Sequence, residues 1–174
     1  MPNEKIVFHG NNKSDKEIEF AVKNNINVIV DNDYDLERLE EISNSFNRDL
    51  EIMIRFTPGI ECHTHEYIRT GSFDSKFGFG IEYLNTLFQR ISNTKHLKLN
   101  GLHAHIGSQI FELDPHKDLG EIMVSVILDA KKYGHYIEKL NVGGGLGIKY
   151  VEDDDPPSCL LYTSPSPRDK HRSR

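Results

Sequence analysis

Two histidines lie one residue apart in an otherwise apolar segment, Gly101-Leu102-His103-Ala104-His105-Ile106-Gly107-Ser108. On a strand, His103 and His105 share one face. An imidazole at such a position can stack on a planar cofactor or bind a metal ion, and the Ser108 hydroxyl can donate to a phosphate. The structural alternative is a buried, hydrogen-bonded histidine followed by a turn serine.

A run of glycines, Gly143-Gly144-Gly145-Leu146-Gly147, directly follows an apolar segment that ends at Val142. Consecutive glycines let backbone N–H groups converge on an anion with no Cβ in the way. The run lacks the Lys-Ser/Thr pair of a Walker loop, and its spacing is not G-x-G-x-x-G. It therefore indicates either a phosphate cradle of another kind or a tight turn between a strand and a helix.

A third polar group begins at Arg55 and continues into a predicted loop from Thr57 to about Gly80. Arg55 can hold a carboxylate or a cofactor oxygen. Within the loop, His63, His65 and Glu66 can reach a substrate, since a long loop beside a site is usually functional. His63 and His65 also have the spacing of metal ligands, but no third ligand follows nearby, and we predict no metal site.

The elements that must position these groups alternate between strands and helices. A Ser14–Glu17 capping box predicts the first helix, and apolar stripes predict three more, over 36–46, 81–91 and 119–130. Such alternation implies parallel strands in either a doubly wound sheet or a (β/α) barrel. The predicted strands are Ile6–Phe8, Asn27–Val30, Ile52–Ile54, Leu97–Ile106 and Ile137–Val142.

Polar residues end each predicted strand: His9, Asp31, Arg55, His105 and Asn141. This pattern favours a barrel, whose βα loops converge at the carboxyl ends of all strands, over an open sheet. A full barrel has eight units and about 250 residues. We therefore predict an α/β fold, a partial (β/α)8 TIM-type barrel with about five of the eight units.

Charge and composition narrow the class of protein. The 174 residues carry a formal net charge of -6, with no basic run before the last residues, which disfavours nucleic acid and anionic membranes as partners. The apolar runs are shorter than a membrane span, and two cysteines give no disulfide framework, so we expect a cytoplasmic protein. Residues 158–174 lack periodicity and resemble a translated sequencing adaptor, so we expect a domain over 1–157 and a non-native tail.

Four segments carry a resemblance to a known family: Phe8–Ser14, Arg55–Phe79, His103–Ile110 and Asn141–Gly147. Together they resemble the diaminopimelate decarboxylases, which belong to the alanine-racemase-like, fold-type III group of pyridoxal-phosphate (PLP) enzymes. Related ornithine and arginine decarboxylases share the glycine run and the His-x-Gly-Ser element, but they are less similar over 57–61 and 63–67. The diaminopimelate branch is therefore favoured, with the ornithine/arginine type as an alternative.

The resemblance implies a role for each matching residue. His105 would stack on the pyridine ring, and Ser108 with the backbone of Gly143, Gly144 and Gly145 would hold the phosphate. Arg55 matches an arginine near the ring. The implied reaction removes CO2 from meso-2,6-diaminopimelate to give L-lysine, the last step of lysine biosynthesis, in a homodimer with a shared active site.

Other family elements have no match in this sequence. The lysine that forms the Schiff base belongs to a strand expected before Met1, and a Glu-Pro-Gly-Arg element and a β domain would follow Pro157. We therefore expect a fragment of the barrel domain that has no catalytic residue of its own and is inactive alone. Two alternatives remain: a non-catalytic PLP-binding barrel, and a metal-dependent barrel hydrolase using His103 and His105.

Overall fold

The computed structural model describes residues 2–60 and 77–157. Within these ranges, short 3-10 turns at Asn3–Lys5 and Ile81–Tyr83 accompany an alternation of strands and helices. The elements are β1 (Val7–Phe8), α1 (Asp15–Asn24), β2 (Asn27–Val30), α2 (Asp33–Phe46), β3 (Leu50–Thr57), β4 (Phe79–Gly80), α3 (Leu84–Ser92), β5 (Leu97–His103), α4 (Asp114–Lys132) and β6 (Lys139–Asn141).

The strands form one parallel sheet in the order β1-β2-β3-β5-β6, and the short β4 pairs with the end of β3. Strand order thus follows chain order, and helices cross between successive strands, as in a barrel. The sheet and its helices form half of a TIM-type barrel, which confirms the predicted fold class. The predicted loop from Thr57 to Gly80 was too long, because Phe79 and Gly80 pair with Phe56 and Thr57.

Several predicted boundaries differ from the structure. β3 runs from Leu50 to Thr57, longer than predicted, because it has strand partners on both sides. β5 ends at His103 rather than at Ile106, and β6 covers only Lys139–Asn141. Both strands end early because β6 pairs with β5 only as far as Asn141, after which the backbone turns away at Gly143 (φ +72°).

The helices cover one face of the sheet and make the apolar core with it. The predicted pairing at the start of α1 is present, since Glu17 Oε2 accepts hydrogen bonds from the Ser14 N–H (2.8 Å) and hydroxyl (2.6 Å). Phe46 was predicted on the buried stripe of α2 but is 37% exposed, with Lys23 Nζ 4.6 Å from its ring centre. The core includes Ile18, Val28, Val30, Leu36, Leu39, Ile52, Ile54, Phe56, Leu87, Phe88, Leu102, Ala104, Met123 and Val126.

A bulge in β5 decides which of its residues face the helices. Ile52 pairs with Leu99, but the next residue, Met53, pairs with Gly101, so Asn100 is an extra residue. Leu99 packs in the helix-covered core, and after the bulge Leu102 does so. Side chains alternate along a strand, so His103 lies on the opposite, barrel-interior face.

Among the described residues, no helix is both long enough and apolar enough to cross a membrane.

Candidate active site at the carboxyl ends of the strands

The structure brings Arg55 and Asp31 together at the carboxyl ends of β3 and β2. Arg55 Nη1 donates to Asp31 Oδ1 at 2.8 Å, and the two side chains are 9% and 1% exposed. The register that pairs Val30 with Ile54 puts the residues that follow side by side. The guanidinium carbon of Arg55 also lies 4.7 Å from the ring centre of Phe77. Arg55 is therefore held in one place at the rim of the half-barrel.

A second buried ion pair supports the first. The Asp35 carboxylate on α2 accepts a hydrogen bond from the Asp31 N–H (3.1 Å) and pairs with Lys13, and these two side chains are almost fully buried. Lys13 also donates to the Gly10 carbonyl in the loop after β1. Sequence reasoning missed this pair. The available signal was a carboxylate at helical spacing from the buried Leu39 and Ile42, four and seven residues on.

His103 is buried at the end of β5. Its Nδ1 lies 3.0 Å from the Asn141 carbonyl. A carbonyl only accepts, so Nδ1 carries the hydrogen and Nε2 keeps its lone pair. Burial lowers the pKa of His103 to about 4, although the bond to Asn141 acts in the opposite direction. The ring meets His9 edge-on, with centres 5.0 Å apart, and burial and then Arg55 lower the pKa of His9. Both imidazoles are therefore neutral at pH 7.

His105 lies two residues beyond the end of β5 and is half-buried. Its Nδ1 accepts a long hydrogen bond, 3.4 Å, from the Gly144 N–H. Burial lowers the pKa of His105, and the nearby charges of Arg55 and His116 lower it further. The site thus has a neutral, planar ring directly beside the glycine run.

Two positions of the glycine run, Gly143 and Gly145, have a conformation that only glycine fits. Gly143 has φ +72°, and a Cβ there would lie 2.7 Å from His105 Nδ1. Gly145 has φ +106°, and its Cβ would lie 2.0 Å from the Gly107 carbonyl oxygen. Around a Cβ at Gly144, in contrast, no atom lies within 4 Å. The run thus lies against the loop after β5 at Gly143 and at Gly145, and the space beside Gly144 is open.

The loop that carries Ser108 is hydrogen-bonded to this run. The Ile110 N–H donates to the Gly145 carbonyl and the Gly147 N–H donates to the Ile110 carbonyl, both at 2.8 Å. Ser108, two residues before Ile110, is half-buried. The structure thus places Arg55, His105, Ser108 and Gly143–Gly145, the residues singled out from the sequence, at or just beyond the carboxyl ends of β3, β5 and β6.

Three other predicted residues, His63, His65 and Glu66, lie outside the described residues, and their role stays a prediction. The same holds for the tail, 158–174, and for the domain boundary before it. Within 2–60 and 77–157, no three His, Cys, Asp or Glu side chains are placed to hold one metal ion. The geometry of the described residues therefore gives no support to the alternative of a metal-dependent hydrolase that uses His103 and His105.

Known proteins with similar structures include decarboxylases. The crystal structure of diaminopimelate decarboxylase from Helicobacter pylori complexed with L-lysine has a TM-score of 0.85 and 32% identity, and the match covers 93% of this chain and 41% of that chain. The arginine decarboxylase of Paramecium bursaria Chlorella virus has a TM-score of 0.68 at 17% identity, with 83% and 37% covered. At that identity, the second likeness concerns the fold alone.

Sequence comparison is more specific. The chain is 54% identical over 155 residues to the diaminopimelate decarboxylase of Synechocystis sp., covering 89% of this chain and 33% of that protein. It is 40% identical over 166 residues to that of Bacillus subtilis, covering 93% and 38%. The chain thus spans between about a third and two fifths of the length of these relatives. Residues 1–164 match the family described as pyridoxal-dependent decarboxylase, pyridoxal binding domain. The chain therefore belongs to the pyridoxal-dependent decarboxylases and contains sequence of their pyridoxal-binding domain.

Proposed function

We propose that this chain forms part of the cofactor site of a PLP-dependent diaminopimelate decarboxylase. In this proposal the backbone of Gly143–Gly145 and the Ser108 hydroxyl hold the cofactor phosphate, and His105 stacks on the pyridine ring. Arg55 lies near the ring, oriented by Asp31. The reaction is the loss of CO2 from the D-configured centre of meso-2,6-diaminopimelate, which gives L-lysine.

The observation that carries the proposal is the backbone shape of the glycine run, with the open space beside Gly144. The run is pressed against the Ser108 loop at Gly143 and Gly145, where no side chain fits, and it is open at Gly144. A backbone without side chains, next to the loop that carries Ser108, is suited to a phosphate. The neutral ring of His105 lies beside it, hydrogen-bonded to Gly144.

PLP, when bound, supplies an electron sink for the carbanion left by departing CO2. The residues of this chain bind and orient. Arg55 offers a fixed positive charge, because its partner Asp31 and the ring of Phe77 restrict the guanidinium. His103 offers a lone pair on Nε2, since Nδ1–H is used by Asn141.

The substrate assignment rests on the relatives. Those with 40% and 54% identity are named diaminopimelate decarboxylase, and the similar Helicobacter pylori structure holds L-lysine, the product of that reaction. The arginine decarboxylase is more distant, at 17% identity. We extend the proposal to a homodimer with a shared active site, as the family resemblance implies, and expect the chain alone to be inactive.

A chimera tests the proposed function in a complete enzyme. Residues 2–157 would replace the matching segment of the Synechocystis diaminopimelate decarboxylase. We expect CO2 release from meso-diaminopimelate but not from ornithine or arginine, and growth of a lysine auxotroph that carries the chimera.

The matched control is the same chimera with Gly144→Val, which fills the open part of the proposed phosphate site. We expect it to fold but to lose activity at limiting PLP. A folded, PLP-loaded chimera that acts on ornithine or arginine instead would contradict the substrate assignment. A folded chimera whose activity ignores Gly144→Val would contradict the phosphate site.

A further inference from the structure

Gln109 joins the two loops of the proposed phosphate site through its side chain. Its Nε2 donates to the Ile148 carbonyl and its Oε1 accepts from the Ile148 N–H, both at 3.0 Å. One side-chain amide therefore satisfies both backbone groups of one residue, as a neighbouring strand would. Gln109 directly follows Ser108, and Ile148 directly follows the glycine run.

We infer that Gln109 is a positioning residue for the phosphate site, an inference that rests on the proposed function above. Its amide fixes the distance between the Ser108 loop and the glycine run, so that hydroxyl and backbone N–H groups meet the same phosphate. Gln109 itself does not touch the phosphate in this inference. It acts through Ser108 on one side and through Ile148 on the other.

The neighbouring backbone contacts explain why a side chain is needed at this point. Ile110 pairs with Leu146 as an isolated parallel bridge, with hydrogen bonds to Gly145 and Gly147. The bridge continues no further as backbone pairing. The Gln109 amide extends it to Ile148 and adds two hydrogen bonds to the two of the bridge.

The backbone of Gln109 supports the same inference. Its φ is +56°, a left-handed conformation that glycine adopts more readily than any residue with a side chain. A glutamine in this conformation carries a backbone cost that the two amide hydrogen bonds offset. Gly107, two residues earlier, has φ +143°, so the loop already uses glycine where no side chain is required.

Because Ile148 is exposed, a positioning role of Gln109 can be distinguished from a contribution to the stability of the fold. Ile148 is 57% exposed, so water can replace the Gln109 amide at its N–H and carbonyl. Removing the amide therefore leaves no buried polar group without a partner and has little effect on unfolding. What is lost is the fixed spacing of the loops, and with it the affinity for phosphate.

The test compares two probes in the full chain, pyridoxine 5′-phosphate and pyridoxine. Neither has an aldehyde, so neither forms adducts with surface lysines, and they differ only in the phosphate. The variants are Gln109→Gly, which removes the amide and relieves the backbone; Gln109→Ala, which removes only the amide; and Gln109→Glu, which removes the donor. Gln89→Ala, on the exposed face of α3, is the matched control.

We expect the wild-type chain and Gln89→Ala to bind the phosphorylated probe more tightly than pyridoxine. Each Gln109 variant should bind pyridoxine 5′-phosphate about tenfold more weakly. This is the effect of losing one to two hydrogen bonds between the displaced loops and the phosphate. Its affinity for pyridoxine should change less than about twofold, and its thermal midpoint should stay close to that of the wild type.

Each other outcome has a distinct meaning. Equal binding of the two probes by the wild-type chain would refute the phosphate site and with it the proposed function. A wild-type preference for phosphate that all three variants keep would refute the role of Gln109 alone. That role would also be refuted if Gln109→Gly keeps the preference while Gln109→Ala loses it, since the backbone would then matter, or if both probes weaken equally.

Discussion

The Arg55 guanidinium and the Asp31 carboxylate form a buried ion pair, 2.8 Å apart, at the carboxyl ends of neighbouring parallel strands. Burying an ion pair is costly, and replacing one by apolar groups is often neutral or stabilising. The pair is therefore better explained by a need to hold a charge at one position than by a contribution to stability. In the proposed function that position is beside the cofactor ring.

Replacing one partner of this ion pair should destabilise the fold more than replacing both partners. Asp31→Leu leaves the Arg55 charge buried without its carboxylate, and we expect the free energy of unfolding to fall by about 3–5 kcal/mol. The double variant Asp31→Leu/Arg55→Met should recover most of that loss. Urea unfolding of the single and double variants measures the difference. A double variant no more stable than Asp31→Leu would show that the charge pairing is not what the site requires.

The Lys13–Asp35 pair should behave differently, because Asp35 has a second partner. In Lys13→Met the Asp35 carboxylate still accepts from the Asp31 N–H, whereas Asp35→Leu leaves both Lys13 and that N–H without it. We therefore expect Asp35→Leu to lower the thermal midpoint more than Lys13→Met does. Equal losses from the two variants would contradict a role of Asp35 in holding Asp31.

The stability of the fold should depend on pH through His103. Its pKa is about 4 in the folded chain against a usual 6.5, so the unfolded state binds more protons between these pH values. The free energy of unfolding should therefore fall as pH drops from 7 to 4, by up to about 3 kcal/mol from this residue. His9 and His105, whose pKa values are also lowered, add to the loss.

Urea unfolding at pH 7, 5.5 and 4.5 checks this dependence. His103→Gln should flatten the fall, while His135→Gln, a buried histidine bonded to the Phe88 carbonyl away from the site, serves as the control. If the wild-type chain and His103→Gln lose stability in parallel, His103 is not the group that titrates.

Alanine substitutions should separate the parts of the glycine run. In Gly145→Ala the new Cβ meets the Gly107 carbonyl, so we expect a loss of about 1–3 kcal/mol in unfolding free energy. In Gly144→Ala the new Cβ meets nothing within 4 Å. We expect the unfolding free energy to stay within about 0.5 kcal/mol of the wild type, while the binding of pyridoxine 5′-phosphate becomes weaker.

A glycine outside the run serves as a comparison. Gly120→Ala, in open space on α4, should stabilise the chain by about 0.5–1 kcal/mol. Denaturant titration and ligand titration of the three variants test these expectations. An unchanged affinity of Gly144→Ala for pyridoxine 5′-phosphate would contradict the proposed phosphate site.

Much of the architecture follows from the sequence because apolar periodicity and strand-end polar residues act locally. The alternation of elements, the Ser14–Glu17 pairing and the strand-end placement of Asp31 and Arg55 depend on neighbours in the chain. Other features depend on distant segments. The Lys13–Asp35 pair joins two helix starts, and the Gln109–Ile148 bonds join two loops 39 residues apart. No local pattern encodes such partners, so the sequence predicted residues near the site but not what holds them.

The bulge at Asn100 has a consequence for which insertions and deletions the site can tolerate. Without the extra residue, the positions after it would change faces, since side chains alternate with a period of two. Leu102 and Ala104 would then point into the barrel, and His103 would point at the helices. Deletion of Asn100 would thus exchange the two faces at the end of β5, although every site residue would still be present in the chain. This segment must therefore keep the register that puts each side chain on its proper face of the sheet, as well as its two histidines.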